Sequence, residues 1–171
     1  MKRLLIRADD IGYSYAVDLG IARSVNEGLV RSVGLMPNMP EAERGWSLVA
    51  DAGVAVGQHT NVCLGKPCAD PALIPSMLNE NGEFHSSRTF REHFKLGEEL
   101  IDFDEACIEI RAQHDRFVEI VGREPDYFEA HAVMSKNLNR AISAVAQELG
   151  LKEQKANFDP AAVVHCGDAD L

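Results

Sequence analysis

The chain has 171 residues, 46% of them apolar, enough for one globular domain with a buried core. Its formal net charge of -10 excludes the basic face that a nucleic-acid backbone partner needs. No apolar run approaches the roughly 20 residues of a membrane-spanning helix. The opening Met-Lys-Arg-Leu-Leu-Ile could start a signal peptide, but Arg7, Asp9 and Asp10 cut the apolar stretch short. Cys63, Cys68, Cys107 and Cys166 are therefore expected to be free thiols in a reducing cytoplasm.

In chain order, Leu4, Leu5 and Ile6 read as a short strand buried on both faces, ending in Asp9, Asp10 and Gly12. Ser14 caps a helix with Val17, Ile21, Val25 and Leu29 on one stripe. Residues 32–36 form a second strand, residues 41–52 a second helix, and residues 54–62 a third strand. This βαβαβ order predicts a parallel sheet with helices packed outside. Residues 64–87, with Pro67, Pro71 and Pro75, form a long segment expected to lie over the same rim as Asp9 and Asp10.

A short helix follows over residues 88–99. Asp102 and Glu105 then open a longer one carrying Phe103, Cys107, Ile110, Phe117 and Val121 on one face. His114 falls on that face and reads as an interior or boundary residue, not a ligand. Gly122 and Pro125 stop the helix. Residues 126–130 are a fourth strand, followed by His131. A helix with Leu138, Ile142, Val145 and Leu149 closes at Gly150, and residues 151–156 are a weak fifth strand. The tail after it has no pattern.

The chemistry is concentrated just past the strands. Strand one delivers Asp9 and Asp10, strand three His59, and strand four His131, all toward one rim because parallel strands share a direction. Adjacent carboxylates repel, so a cation or a shared proton would hold the Asp pair together, although a solvated Asp-rich turn also accounts for it. Taken jointly, one carboxylate and two imidazoles make a ligand set for a divalent cation with positions left open. The second carboxylate is then free to act as a base. The spacings of 49 and 72 residues between Asp10, His59 and His131 exclude a local metal finger, so the fold must assemble the site. Cys63 and Cys68 lack the second cysteine pair of a zinc site. His85 and His93 read as surface residues, and nothing places His165 beside Cys166. No glycine-rich phosphate loop is present.

These motifs resemble those of the YdjC-like carbohydrate deacetylases, also called the chitooligosaccharide deacetylase family. Ala8-Asp9-Asp10-Ile11-Gly12 is similar to the family's Ala-Asp-Asp-Phe-Gly, and Gly57-Gln-His-Thr-Asn61 to its Gly-x-His-x-Asn. Gly65-Lys-Pro67 follows as it does in the family. Residues 74–84 resemble the next loop, and Glu129-Ala-His131 stands in the place of Asp-Ser-His. The likeness runs from Lys2 to about Gly150. It implies a β/α barrel-like fold and removal of the N-acetyl group from a small amino sugar. It also implies a divalent metal, Mg2+ or alternatively Zn2+, and a cytoplasmic homodimer. By position, Asp10, His59 and His131 would be the metal ligands and Asp9 the general base, with Asn61 and Lys66 binding substrate.

Two departures stand out. Ala132, Val133 and Met134 follow His131 where the family often has further histidines. The family also supplies a late histidine from a His-Pro-Gly motif as general acid, of which His165-Cys-Gly167 keeps the first and last residues. A β/α barrel needs about 200 residues or more to close. The chain is therefore expected to form a single β/α domain, a partial or open barrel lacking the family's C-terminal portion. Without the late acid, turnover would fall by about 10²–10⁴ while metal binding stood. Two other readings remain: a non-catalytic sugar- or metal-binding fragment of this fold, and a phospho-acceptor signalling domain, which also places an acidic pair after its first strand.

Overall fold

A computed structural model describes residues 5–154, 165–166 and 169–170. Four strands form one parallel sheet in the order β1-β2-β3-β4: β1 (Ile6–Ile11), β2 (Val30–Leu35), β3 (Ala55–Thr60) and β4 (Phe128–Ala130). Helices α1 (Tyr15–Asn26), α2 (Ala42–Ser47), α3 (Ser87–Lys95), α4 (Phe103–Val121) and α5 (Lys136–Glu148) lie in the connections. This bears out the parallel β/α, barrel-like class. Among the described residues the sheet is open. Lys152–Gln154 runs beside β4 in parallel through Phe128 N–H to Lys152 O and Gln154 N–H to Phe128 O, both 2.8 Å. That is the start of the expected fifth strand, whose Lys155 and Ala156 fall outside the described residues. Strands β5 (His165–Cys166) and β6 (Ala169–Asp170) pair antiparallel. No helix among the described residues is long and apolar enough to cross a membrane.

The first strand departs from expectation. Leu5 is 68% exposed and Ile6 36%, so the described part of the apolar run is not a buried strand. Pairing continues through the carboxylates to Ile11, which is 1% exposed. β1 is the edge of the described sheet, and its buried end is the C-terminal one. Asp9 and Asp10 therefore sit inside the strand, at a bulge where Ala8 faces Val33 and Ile11 faces Leu35. Asp10 adopts a positive φ of 77° there. In a regular strand these neighbours would point to opposite faces; the extra residue re-aims them.

Leu29 lies beyond α1 and is 75% exposed, not on the buried stripe with Ile21 and Val25. The second helix is shorter than expected. Ser47 Oγ donates to Arg44 O at 2.7 Å, competing with the helical ladder, and the chain passes into a separate 3-10 turn at Ala50–Ala52. Ser135 caps α5 and Asp102 caps α4, as their sequences dictate.

The apolar core divides into two clusters. One gathers Ile11, Val25, Val33, Leu35 and Val56 with Phe117. The other gathers Ile74, Met77, Phe90, Ile110, Phe128, Leu138 and Val145. The long segment after β3 belongs to the second: it forms 3-10 turns at Pro71–Leu73 and Pro75–Met77 and buries Ile74, Met77 and Phe84. α4 anchors its start. Glu109, fully buried, accepts from the Cys68 and Ala69 N–H groups at 3.0 and 2.9 Å and from Gln113 Nε2 at 2.8 Å.

Candidate metal centre

The site is built across the whole sheet. β1 supplies Asp9 and Asp10, β3 supplies His59, and His131 follows β4 directly. β2 lies between β1 and β3, so side chains from the outer strands must meet over it. Gly34 makes this possible. A Cβ there would stand 2.9 Å from both Asp9 Oδ1 and Glu129 Oε1 and 3.2 Å from His59 Cβ.

Three donor atoms converge. Asp10 Oδ1 lies 3.2 Å from His59 Nε2 and 3.0 Å from His131 Nδ1, and the two ring nitrogens are 2.9 Å apart. The rings meet edge to face with centroids 4.9 Å apart. His131 is held by its backbone N–H to Thr60 O at 2.9 Å and by a tight turn in which Val133 N–H reaches His131 O at 2.6 Å. Ala132, at the centre of that turn, has a φ of 49°. Side-chain exposure rises from 6% at His59 through 13% at His131 to 36% at Asp10, so the cluster opens to solvent on the Asp10 side.

These three residues form a group that could hold a metal ion. Asp10 Oδ1 is buried with no hydrogen-bond donor aimed at it, although two ring nitrogens crowd it. A proton shared between the two ring nitrogens, 2.9 Å apart, leaves Asp10 Oδ1 without an aligned donor. One cation satisfies all three. Donors about 2.1 Å from an ion and at right angles to one another stand about 3.0 Å apart, and at tetrahedral angles about 3.4 Å. The observed edges lie nearer the first value. The crowding also marks the ionisation of the group. His131 and His59 hold the Asp10 carboxyl well below the usual carboxylate range. Burial opposes charge on His59, but Asp10 and Glu129 outweigh it and raise its pKa to about 9. Burial likewise opposes charge on His131, and Asp10 and then Cys63 carry it to about 9.

The structure thus brings together Asp10, His59 and His131, whereas Asp9 is not among the three converging donors. Asp9 joins His59 and Glu129 in a second group of possible donors and is gripped by Arg7, Nε to Oδ1 at 2.7 Å and Nη2 to Oδ2 at 2.9 Å. Asn61 is fully buried. Its Nδ2 donates to Asn38 Oδ1 and Leu64 O, each at 3.0 Å, and its Oδ1 accepts from Cys63 N–H at 3.1 Å. It ties the turn after β2 to the loop after β3, and every polar atom of its side chain is taken up within the chain. Lys66 is exposed on that loop, its carbonyl accepting from Asn38 Nδ2 at 3.0 Å.

The sequence reading assigns no role to Arg7 or Gly34 and none beyond motif position to Glu129. Alternation on β1 is a usable signal, since it puts Arg7 on the face of Asp9. His114 is buried and meets Glu124 Oε2 at 2.6 Å, as a boundary histidine should. His85 and His93 are half-buried. Cys63, Cys68 and Cys107 are free.

A parallel β/α sheet whose rim carries one aspartate and two histidines in mutual contact defines a barrel-like β/α fold with a candidate cation centre. Sequence comparison then fixes the family: residues 3–169 match the profile of the YdjC-like protein family, and the chain belongs to it. A carbohydrate deacetylase of Geobacillus stearothermophilus is 37% identical, over 74% of this chain and 48% of its own length. A chitooligosaccharide deacetylase of Serratia marcescens is 30% identical, over 88% of this chain and 58% of its own. A crystal structure from Enterococcus faecalis, provisionally described as a cellobiose-phosphate cleavage protein, superposes with a TM-score of 0.80 at 27% identity, covering 92% of this chain and 60% of that one. The chain therefore spans about half the length of the curated relatives it matches.

Proposed function

We propose that the chain carries the cation centre of a hydrolase that removes the N-acetyl group from a small amino sugar or chitooligosaccharide. The observation that carries this reading is the triangle of Asp10 Oδ1, His59 Nε2 and His131 Nδ1, with edges of 2.9 to 3.2 Å. The family's deacetylase relatives supply the reaction class. A divalent cation bound there supplies positive charge that polarises an amide carbonyl and acidifies water. Mg2+ is the ion the family resemblance implies; Zn2+ is the alternative that two imidazole donors also suit.

The chain's own residues do the rest. Asp10 contributes the negative charge that draws a cation in, and the two imidazoles contribute neutral donors that leave net positive charge for the substrate oxygen. Asp9 is the base. Its side chain is 33% exposed, Arg7 fixes its direction, and it accepts the proton of the attacking water. The acetamide carbon then gains the water oxygen and loses the sugar nitrogen, which receives the proton held by Asp9, giving acetate and a free amine. Asn61 acts through the loop it anchors, and Lys66, exposed on that loop, is the residue we assign to the sugar.

The test is acetate release from N,N'-diacetylchitobiose with added Mg2+ or Zn2+, alongside metal content of Asp10→Ala, His59→Ala and His131→Ala. Each substitution should lower bound metal. Full occupancy in all three variants would remove the site. Metal binding without acetate release from any amino sugar would favour the non-catalytic binding reading. The phospho-acceptor reading lacks its acceptor, because Asn61 follows β3 where an aspartate would be needed. The proposal includes a homodimer, tested by light scattering.

A further inference from the structure

Beside the three converging donors lies a second polar cluster in which Glu129 has no part in the proposed reaction. Glu129 is 5% exposed and stands opposite His59 in the β3–β4 ladder. Its Oε1 faces His59 Nδ1 at 3.1 Å, out of line for a hydrogen bond, and neither atom has another hydrogen-bond partner. Its Oε2 pairs with Arg7 Nη1. Arg7 also holds both oxygens of Asp9, donates to Gln154 Oε1 at 2.5 Å, and lies 5.9 Å from the centroid of the Tyr127 ring.

This arrangement has a chemical purpose. An imidazole that offers one nitrogen to a cation must carry its proton on the other, and that N–H needs an acceptor to fix the ring. His59 turns Nε2 toward Asp10 and His131 and Nδ1 toward Glu129. A buried glutamate without a counter-charge would be costly, and Arg7 supplies the charge. Asp9, His59 and Glu129 would otherwise be a second cation site; the guanidinium already occupies that role. Its rigid planar fork holds two carboxylates in fixed directions, where a flexible ammonium would hold them as a point charge.

We propose that Arg7 and Glu129 are positioning residues: Glu129 accepts a hydrogen bond from the Nδ1–H of His59, so that the ring keeps its proton there and presents Nε2 to the cation, and Arg7 locks Glu129 and Asp9 into one rigid frame. The inference rests on reading the Asp10, His59 and His131 triangle as a cation centre.

The test uses the full chain with ZnCl2 alone as probe. Isothermal titration gives the affinity, and proton NMR of histidine-labelled protein follows exchange of the His59 ring N–H. Zn2+-loaded wild type should show that proton exchanging slowly. Glu129→Gln replaces one carboxylate oxygen with an NH2 group, so it must give up either His59 or Arg7. It and Arg7→Met should each lower Zn2+ affinity by about 10–100-fold and accelerate the exchange. Arg7→Lys should recover part of the affinity. Circular dichroism checks each fold, and the near-isosteric Glu129→Gln and Arg7→Lys keep the test alive if Arg7→Met unfolds. Unchanged affinity in Glu129→Gln and Arg7→Lys overturns the proposal. So does lowered affinity with unchanged ring-proton exchange, the result of a merely structural role. A wild-type chain that binds no Zn2+ overturns instead the cation reading beneath it.

Discussion

Asp9 and Asp10 are adjacent in the chain but answer to different neighbours, Arg7 on one side and two imidazoles on the other. Their chemistry was legible from residue type, whereas their division of partners was not, because a bulge cannot be read from an Ala-Asp-Asp-Ile string. The same contrast between type and environment governs Cys68. Its half-exposed thiol looks reactive, yet burial and then Glu109 push its pKa from 9.0 up to about 12. At pH 8 the thiolate fraction is then about a thousandfold below that of an ordinary cysteine. Iodoacetamide should therefore label Cys68 slowly in the folded chain, with the rate rising about tenfold per pH unit up to about pH 12. Peptide mass spectrometry reads the labelling. Prompt modification at pH 8 would refute this account. Asp18 makes the opposite case. It is 1% exposed, accepts from Gly12 N–H at 2.8 Å, and pairs with Arg44 Nη2 at 2.6 Å. Asp18→Ala should cost about 1–3 kcal/mol in urea melts, from the buried Gly12 N–H left unpaired. Arg44 adds little to that loss, because its side chain is 31% exposed and reaches water.

At the scale of elements, periodicity located α1, α4 and α5, since burial of an apolar stripe is a local, repeating demand, and capping and breaker residues marked α2. It misplaced β1, because an edge strand that carries the site is polar along the middle and shows its apolar residues at the exposed end. It also passed over the glycines at which strands approach side chains from other strands. Gly34 and Gly57 are neighbours in the β2–β3 ladder, and a Cβ on either meets something too close. The consequences should differ. At Gly34 the obstructed atoms are Asp9 Oδ1, Glu129 Oε1 and His59 Cβ, all belonging to the site. Gly34→Ala should abolish divalent-cation binding in a titration while destabilising the chain by only about 1–3 kcal/mol. At Gly57 the obstacle is the Tyr127 ring, 2.2 Å from the added Cβ and anchored by its hydroxyl to Ser32 Oγ at 2.8 Å and Val33 O at 3.1 Å. A rigid ring cannot yield as a carboxylate can. Gly57→Ala should melt well below Gly34→Ala in the same urea series. Equal midpoints would mean that the sheet absorbs both intrusions alike.

For the whole molecule, the site is a bond between distant parts of the chain. Asp10 stands near one end of the sequence, on β1, and His131 beyond most of it, directly after β4 on the far side of the described sheet. A cation held by Asp10, His59 and His131 would clamp β1 to β3 and to the turn after β4 across an open sheet that no ring of strands closes among the described residues. Such a ligand binds the folded chain and finds no preformed site in the unfolded one, so its binding energy adds to stability by mass action. At a free Mg2+ concentration a hundred times the dissociation constant, the gain is about 2.7 kcal/mol. For a domain of this size each kcal/mol moves the midpoint by about 2–4 °C. Calorimetry should therefore show the melting temperature rising by about 5–11 °C on Mg2+ addition and returning on chelation. Asp10→Ala should melt at one temperature with or without the ion. Because Gly34→Ala displaces His59 from the same clamp without replacing any donor residue, it should share that insensitivity. A wild-type melt that ignores Mg2+ and Zn2+ alike, in protein shown to be metal-free at the outset, would leave the three side chains close together for some reason other than a cation.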